Sequence, residues 1–296
     1  MDQQSKRTHF STTVNNVVYR ISSYQNRISD GGQVAREVHN HFYIEFHYVF
    51  KGKEQIETFC DGIPSRYELG EGEMCVIPKG LFHGIHSDSV ERFCFSINIE
   101  YREDTEYREL CRIRELYDGI GECRILKDAY IDGVMNQWRA LSGEKGRFSK
   151  TMLGTTLLCA VFRAFDILLP QQEGSGDEVG NEALMLRRKW IIEEYISDRY
   201  RSNAGISALA KMLYLSERQT GTVVKELMGS DYKSLIVQRR MQLASILLRD
   251  ESLSIEEIAD AVGYTSYSGF YLAYTKYYGI SPKDARKRLL EELASQ

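Results

Sequence analysis

Between residues 206 and 288 apolar positions recur with the spacing of a helix, break, and then recur again. Ile206, Leu209, Ala210 and Leu213 fall at i, i+3, i+4 and i+7, one face of a helix. Ile255, Ile258, Ala259 and Val262 repeat that spacing. Each run leads through a short polar turn into a second helical stretch that ends at a glycine, Gly229 in the first copy and Gly279 in the second. The offset is 49 residues at the first landmark and 50 at the last, so the second copy has one more residue in its turn. A period of this size marks a repeated supersecondary unit, here helix, tight turn, helix.

Local chemistry supports each boundary. Ala210 and Ala259 are small where two helices must cross closely, and Ser216 is placed to cap the helix that Glu217-Arg218-Gln219 opens. Val223, Val224 and Leu227 then face inward, leaving Arg218, Gln219, Thr222 and Lys225 outward. In the second copy Gly263 relieves the turn and Thr265 or Ser266 caps the next helix. There Phe270, Tyr274 and Tyr277 are expected inward, with Tyr267, Ser268, Tyr271 and Lys276 outward. Between the copies, residues 232–248 form an amphipathic stretch that would span roughly 25 Å as a helix. Two reading heads could then address one face of a duplex about one turn (~34 Å) apart.

The amino-terminal part has a different period. From about Val17 to Ile99, short alternating runs are separated by turn residues: 43–50, 55–59, 74–77 and 93–97, with Asp61-Gly62 as a hairpin signal. Such runs predict an antiparallel barrel or jelly roll. Residues 103–170 read as helices, with a broad apolar stripe from Phe148 through Met152, Leu153, Leu157, Val161, Phe162 and Phe165 to Leu168-Leu169. A dimer interface is favoured for that stripe over simple packing. Its most apolar part, 152–169, is broken by Arg163 and Asp166, so it predicts a buried or interface helix and no membrane span.

Composition adds an asymmetry. The chain of 296 residues carries a net charge of −4. Residues 1–182 hold 21 Lys and Arg against 28 Asp and Glu, whereas residues 183–296 hold 17 against 14. The basic excess therefore lies with the repeat, as phosphate neutralisation requires. The acidic balance of the whole chain argues against indiscriminate nucleic-acid binding, and the modest basic excess predicts salt-sensitive binding that needs a dimer to be tight. The six cysteines (60, 75, 94, 111, 123 and 159) form no CxxC pair and read as reduced, mostly buried thiols of a cytoplasmic protein; the polar amino terminus predicts no signal peptide. A stretch rich in Gly and charge at 171–182 reads as a linker.

The carboxy-terminal hundred residues resemble the AraC family of bacterial transcription regulators, through Leu209-Ala210, Leu215 to Gln219, Gly229, Arg240, Ala244, Leu247-Leu248, Ser254-Ile255, Ile258-Ala259, Val262-Gly263-Tyr264, Phe270, Gly279, Ser281-Pro282 and Arg286. The resemblance implies two DNA-reading helices, with Arg218, Gly221 and Thr222 facing bases in the first and Tyr267, Ser268, Tyr271 and Leu272 in the second. Leu272 stands where the family often has arginine and Thr275 where it often has lysine. The second helix is accordingly expected to position the backbone more than it reads bases. Arg218 is the leading candidate reader, since a guanidinium pairs bidentately with guanine. Lys225 and Lys276 are candidates for phosphate contact.

All six histidines lie in the amino-terminal half. His39-Asn-His41, Glu45 and Gly52 resemble the first cupin motif, and Gly72, Pro78-Lys79-Gly80 and His83 the second, with Ser87 in place of the usual asparagine. Alternation sends His39, His41 and Glu45 to one face, with His83 arriving from an opposing strand. Three readings stay open for this set: direct contact with a small-molecule effector, a divalent transition metal, or histidines that only fill space. The sequence thus predicts an α+β two-domain protein: a cupin-like antiparallel β-barrel (1–102), a helical dimerisation or packing segment (103–170), a linker (171–182), and an all-α double helix-turn-helix domain (183–296). The expected function is that of an effector-controlled, dimeric transcription regulator. It would bind double-stranded DNA, recruit RNA polymerase if an activator (the commoner mode in such families), and respond to a sugar or related metabolite. The alternative is a cupin metalloenzyme with a DNA-binding tail; no second acid/base constellation accompanies the histidines, which favours a non-enzyme.

Overall fold

The structure, a computed structural model, describes residues 7–14, 16–24, 33–60, 63–88, 90–101, 113, 115–116, 118–143, 146–169, 181–202 and 204–294. The chain divides into two compact units, the first holding residues 1–58 and 65–183 and the second residues 184–296 together with the short stretch 59–64. Asp61-Gly62, Cys111 and residues 171–180 of the expected linker lie outside the described residues, while Asn181 and Glu182 begin a helix.

The first unit is built on two sheets. One has the order β1 (Arg7–Val14), β2 (Val17–Tyr24), β9 (Glu91–Tyr101), β4 (Ile44–Lys51), β7 (Met74–Ile77) and β10 (Arg124–Leu126). The other has the order β3 (Gln33–His39), β8 (Phe82–Asp88), β5 (Glu54–Cys60) and β6 (Ile63–Leu69). The pairs β1–β2, β2–β9, β9–β4, β4–β7, β7–β10 and β3–β8 are antiparallel. Strand β10 corrects the expectation that residues 103–170 are helical throughout: Ile125 lies opposite Cys75, so three residues of that segment extend the first sheet.

Strand β4 explains how this unit accommodates its polar residues. Ile44, Phe46 and Tyr48 alternate with Glu45, His47 and Val49, yet all six are buried. The Phe46, Phe93 and Tyr19 face of the sheet is covered by two helices, α1 (Ala129–Leu141) and α2 (Ser149–Leu168): Phe93 stacks on Trp138, Phe46 meets Phe165, and Tyr19 meets Phe162 edge-on. Asp128 caps α1 through the amides of Tyr130 and Ile131 and accepts from Arg163 of α2 at 2.8 Å. Helix α2 is long and apolar enough to cross a membrane by length and composition. Leu157, Leu158, Val161, Ala164 and Phe165 are nevertheless buried, the packing of a core helix, while Phe148, Met152 and Ile167 are exposed. The other face of β4 looks between the sheets, where His83 of β8 approaches Glu45 and Arg92 of β9 pairs with Glu54 of β5. Among the described cysteines, Cys75, Cys94 and Cys123 are buried and Cys60 and Cys159 are exposed.

From Asn181 onward the described elements are all helices: α3 (Asn181–Arg199), α4 (Ile206–Met212), α5 (Glu217–Met228), α6 (Tyr232–Leu247), α7 (Ile255–Ala261), α8 (Tyr267–Tyr278) and α9 (Pro282–Ala294). Helices α4–α5 and α7–α8 are the two repeat copies. Ser216, Ser254 and Ser266 cap α5, α7 and α8, and Gly229 and Gly279 end α5 and α8 in the left-handed conformation that glycine adopts without strain. Helix α3, outside the repeat, supplies Ile192, Tyr195 and Ile196 to the core around Leu209, Leu213, Val224 and Tyr232. The inward side of α8 is Phe270 and Tyr274, without Tyr277, which is 44% exposed; Tyr278 is 38% exposed as well, although its hydroxyl donates to the Met241 carbonyl and its ring lies 4.7 Å from that of Tyr274.

One joint holds the second unit together. Arg240 of α6 donates to the carbonyls of Tyr200 (2.6 Å) and Ser202 (3.0 Å) and lies over the Tyr264 ring. Gly263, with φ +91°, lets the α7–α8 turn close against the same segment, and a Cβ there would lie 2.3 Å from the Arg201 carbonyl oxygen. Gly263→Ala therefore combines backbone strain with a clash against backbone, and a loss of about 3 kcal/mol or more is expected. A urea unfolding curve of the variant that matches wild type would contradict this packing.

Candidate functional site

Two constellations stand out, one on each unit. On α5, the Ser216 cap fixes the first turn, and Arg218, Thr222 and Lys225 follow at i, i+4 and i+7 on an exposed face. Gln219 is exposed too, but its carbonyl oxygen closes a capping box, accepting from the Ser216 amide at 3.0 Å and the Ser216 hydroxyl at 2.8 Å. On α8, Tyr267, Ser268, Tyr271, Leu272 and Lys276 are exposed, and the Tyr267 and Tyr271 rings lie 5.9 Å apart. Leu272 is 70% exposed, and an apolar side chain on a face of tyrosines and serine suits a thymine methyl or a sugar better than hydrogen bonding. Both faces belong to helices anchored by α6, which at 16 residues is about 24 Å long.

The second constellation lies between the sheets. The β3 register shifts between Arg36 and His39, a break that sets His39 opposite His83. The loop before β8 is tied down by the Gly80 amide, which donates to the His41 carbonyl at 2.7 Å. His41 Nε2 and His83 Nε2 then converge on Glu45 Oε2, at 2.7 and 3.3 Å. The His39 ring lies 4.4 Å from that of His83 and is the most accessible of the three. Ligand atoms of His39, His41, Glu45 and His83 all lie within 4.8 Å of one another.

The far side of each imidazole decides its chemistry. His41 Nδ1 lies 2.9 Å from the Tyr43 carbonyl, and His83 Nδ1 lies 3.0 Å from the Leu81 carbonyl. A carbonyl only accepts, so each Nδ1 carries the proton and each Nε2 presents a lone pair when the ring is neutral. Lone pairs facing a carboxylate oxygen need a cation between them, either protons or a metal. Outer hydrogen bonds of this kind are what orient metal-ligating histidines. The residues present therefore fit a divalent transition metal.

The sequence reading missed the extension of this network. His47 lies two residues along β4 from Glu45, so alternation puts it on the same inner face. Its Nε2 is 3.4 Å from Glu45 Oε1, and its Nδ1 is 2.9 Å from Glu54 Oε2. Cys94, directly opposite His47 on β9, donates its thiol to Glu45 Oε1 at 2.7 Å. Arg92 closes the chain on Glu54 Oε1. Burial pushes Glu45 toward its neutral form, but His41, His47 and His83 outweigh it and hold its carboxyl well below the usual carboxylate range. Burial likewise opposes charge on His47; Cys94 and then Glu45 overcome it and push the imidazole up to about 9. The Cys94 thiol is pushed up by burial and by Glu45.

A helix-turn-helix domain family matches residues 209–288. The carboxy-terminal unit is an AraC-type helix-turn-helix DNA-binding domain. Similar curated proteins include the Msm operon regulatory protein of Streptococcus mutans, 31% identical over 98 residues that cover 33% of this chain and 35% of that protein. Another is the RCS-specific transcriptional activator RclR of Escherichia coli, 26% identical over 84 residues that cover 28% of this chain and 30% of the other. The chain thus matches about a third of the length of these relatives. Among solved structures, ToxT from Vibrio cholerae aligns over 90% of this chain and 97% of its own at 13% identity, with a TM-score of 0.36. Within the AraC-type domain, α5 and α8 are the second helices of the two helix-turn-helix units.

Proposed function

We propose that the chain is a transcription regulator whose AraC-type domain reads double-stranded DNA and whose amino-terminal unit senses a small molecule. The observation that carries this reading is the pair of capped, exposed helices α5 and α8, each packed within its own helix-turn-helix and joined through α6. Arg218 is the principal base reader, Thr222, Tyr267, Ser268 and Tyr271 line the same surfaces, and Lys225 and Lys276 neutralise phosphate. Gln219 contributes chiefly by holding the start of α5. His39, His41, Glu45 and His83 form the effector site and hold a divalent transition metal there. Such an ion would offer Lewis acidity and open coordination positions to an effector with oxygen donors, which a sugar-like metabolite supplies. The exposed Met152 and Ile167 of α2, with Phe148 just before it, support a homodimer, and the net basic charge of residues 183–296 supports DNA as its partner in the cytoplasm. Activation through RNA polymerase is the mode we favour.

Two measurements test this reading. Rounds of selection from random duplexes should enrich a sequence that the chain shifts at low ionic strength; no enrichment would overturn the DNA assignment. His83→Ala should bind one transition-metal equivalent fewer than wild type by elemental analysis after reconstitution. An unchanged metal content would remove the metal from the effector site.

A further inference from the structure

The inner wall of the first unit carries a second set of converging ligand atoms that the His39, His41, Glu45 and His83 site does not use. They are His47 Nε2, Cys94 Sγ and Glu45 Oε1. Tetrahedral zinc, with bonds of about 2.3 Å to sulfur and about 2.0–2.2 Å to nitrogen and oxygen, would space these atoms roughly 3.4 Å (N to O), 3.6 Å (S to N) and 3.6 Å (S to O) apart. The observed separations are 3.4 Å, 3.5 Å and 2.7 Å. Two of the three edges already match, and the third opens when the S–H···O hydrogen bond is exchanged for coordination. His47 is oriented as a ligand in the same way as His41 and His83: its Nδ1 lies on a carboxylate, Glu54, which is itself fixed by Arg92. All three donors are buried, and they come from β4 and β9, strands in direct register.

We propose that the amino-terminal unit has a second cation site, formed by His47, Cys94 and Glu45, which takes a borderline-soft divalent ion such as zinc. Glu45 bridges the two sites, with Oε2 directed to His41 and His83 and Oε1 to His47 and Cys94. The donor sets differ in softness. Imidazoles and a carboxylate accept many divalent ions, whereas a thiolate beside an imidazole discriminates against magnesium, calcium and manganese. On binding, the Cys94 thiol and Nε2 of the His47 imidazolium each release a proton to solvent, leaving an anionic sulfur and a neutral imidazole as ligands. The proposal shares Glu45 with the effector site but requires sulfur, which that site does not.

Cobalt(II) titration of the full-length chain tests it, since a thiolate ligand gives an intense near-ultraviolet charge-transfer band that imidazole and carboxylate do not. Wild type should take up two cobalt ions per chain with that band, and zinc should abolish it. Cys94→Ser should lose the band while keeping one ion, and His83→Ala should keep the band. Independently of any variant, X-ray absorption at the zinc edge of the zinc-loaded wild type should show sulfur at about 2.3 Å. One cobalt ion without the band, or a band that survives Cys94→Ser, overturns the second site and leaves the first intact; absence of any bound cobalt overturns both.

Discussion

Arg218→Ala is expected to weaken binding to a selected duplex by roughly 10- to 100-fold and to flatten preference at one base pair, as anticipated for one bidentate arginine–guanine pair. Arg218 is exposed in the first turn of α5, just after the Ser216 cap, so its guanidinium can project into a groove without disturbing the core. Removing an exposed side chain that supports no packing should leave stability within about 0.5 kcal/mol of wild type. Lys225→Ala provides the contrast. Without its ammonium group to neutralise a phosphate, binding should weaken for all sequences alike, and the slope of log affinity against log salt should fall by about one. Titrations of both variants against the selected duplex and a scrambled one separate the two roles. Unchanged affinity and preference for Arg218→Ala would remove α5 from base reading.

The repeat makes the second unit legible in the sequence. Capping serines, terminal glycines and small crossing residues are local features, and a local signal duplicated about 50 residues away is hard to misread. What stays hidden there depends on tertiary partners. Helix α3 has a weak apolar stripe and lies outside the repeat, yet its Tyr195 and Ile196 complete the core. Tyr277 falls on the inward side by spacing, yet only Phe270 and Tyr274 of α8 are buried. Gln219 reads as an outward side chain because periodicity cannot see its hydrogen bonds to Ser216.

The first unit shows the complementary limit. Alternation places His39, His41 and Glu45 on one face; in the structure His39 ends β3, His41 lies in the connection to β4 and Glu45 lies on β4 in the other sheet, and their ligand atoms gather with that of His83. The same alternation, carried two residues further, would have included His47. Cys94 could not have been found this way, because its place opposite His47 depends on the β4–β9 register, a pairing between residues 47 positions apart. Strand β10 escapes for the same reason: three residues carry too little pattern, and only their pairing with β7 defines them.

Because Cys94 and Glu45 hold a proton on the buried His47, the metal-free chain should lose stability on the alkaline side of neutrality. The imidazole of His47 is raised from 6.5 to about 9 in the folded state. A raised value means that the folded state holds a proton the unfolded chain has released, so the stabilisation is complete below about pH 6.5 and is lost as pH rises through 9. The difference corresponds to about 3 kcal/mol at full loss. Cys94 acts in the same sense, since its raised thiol disfavours folding once the unfolded thiol begins to ionise above about pH 8.5. Glu45 acts oppositely: its depressed carboxyl stabilises the fold above about pH 4.5 and ceases to do so in acid. The first unit should therefore be most stable between about pH 5 and 6.5. Trp138 lies in that unit, packed on Phe93, and Trp190 in the other. Urea unfolding followed by fluorescence of a Trp190→Phe chain, with metals chelated, thus reports the first unit alone. Its midpoint should fall markedly from pH 6 to pH 9, and His47→Gln should remove most of that dependence. A midpoint that holds steady or rises over this range would mean that His47 is neutral in the fold, and the charge balance derived for the Glu45 cluster would be wrong.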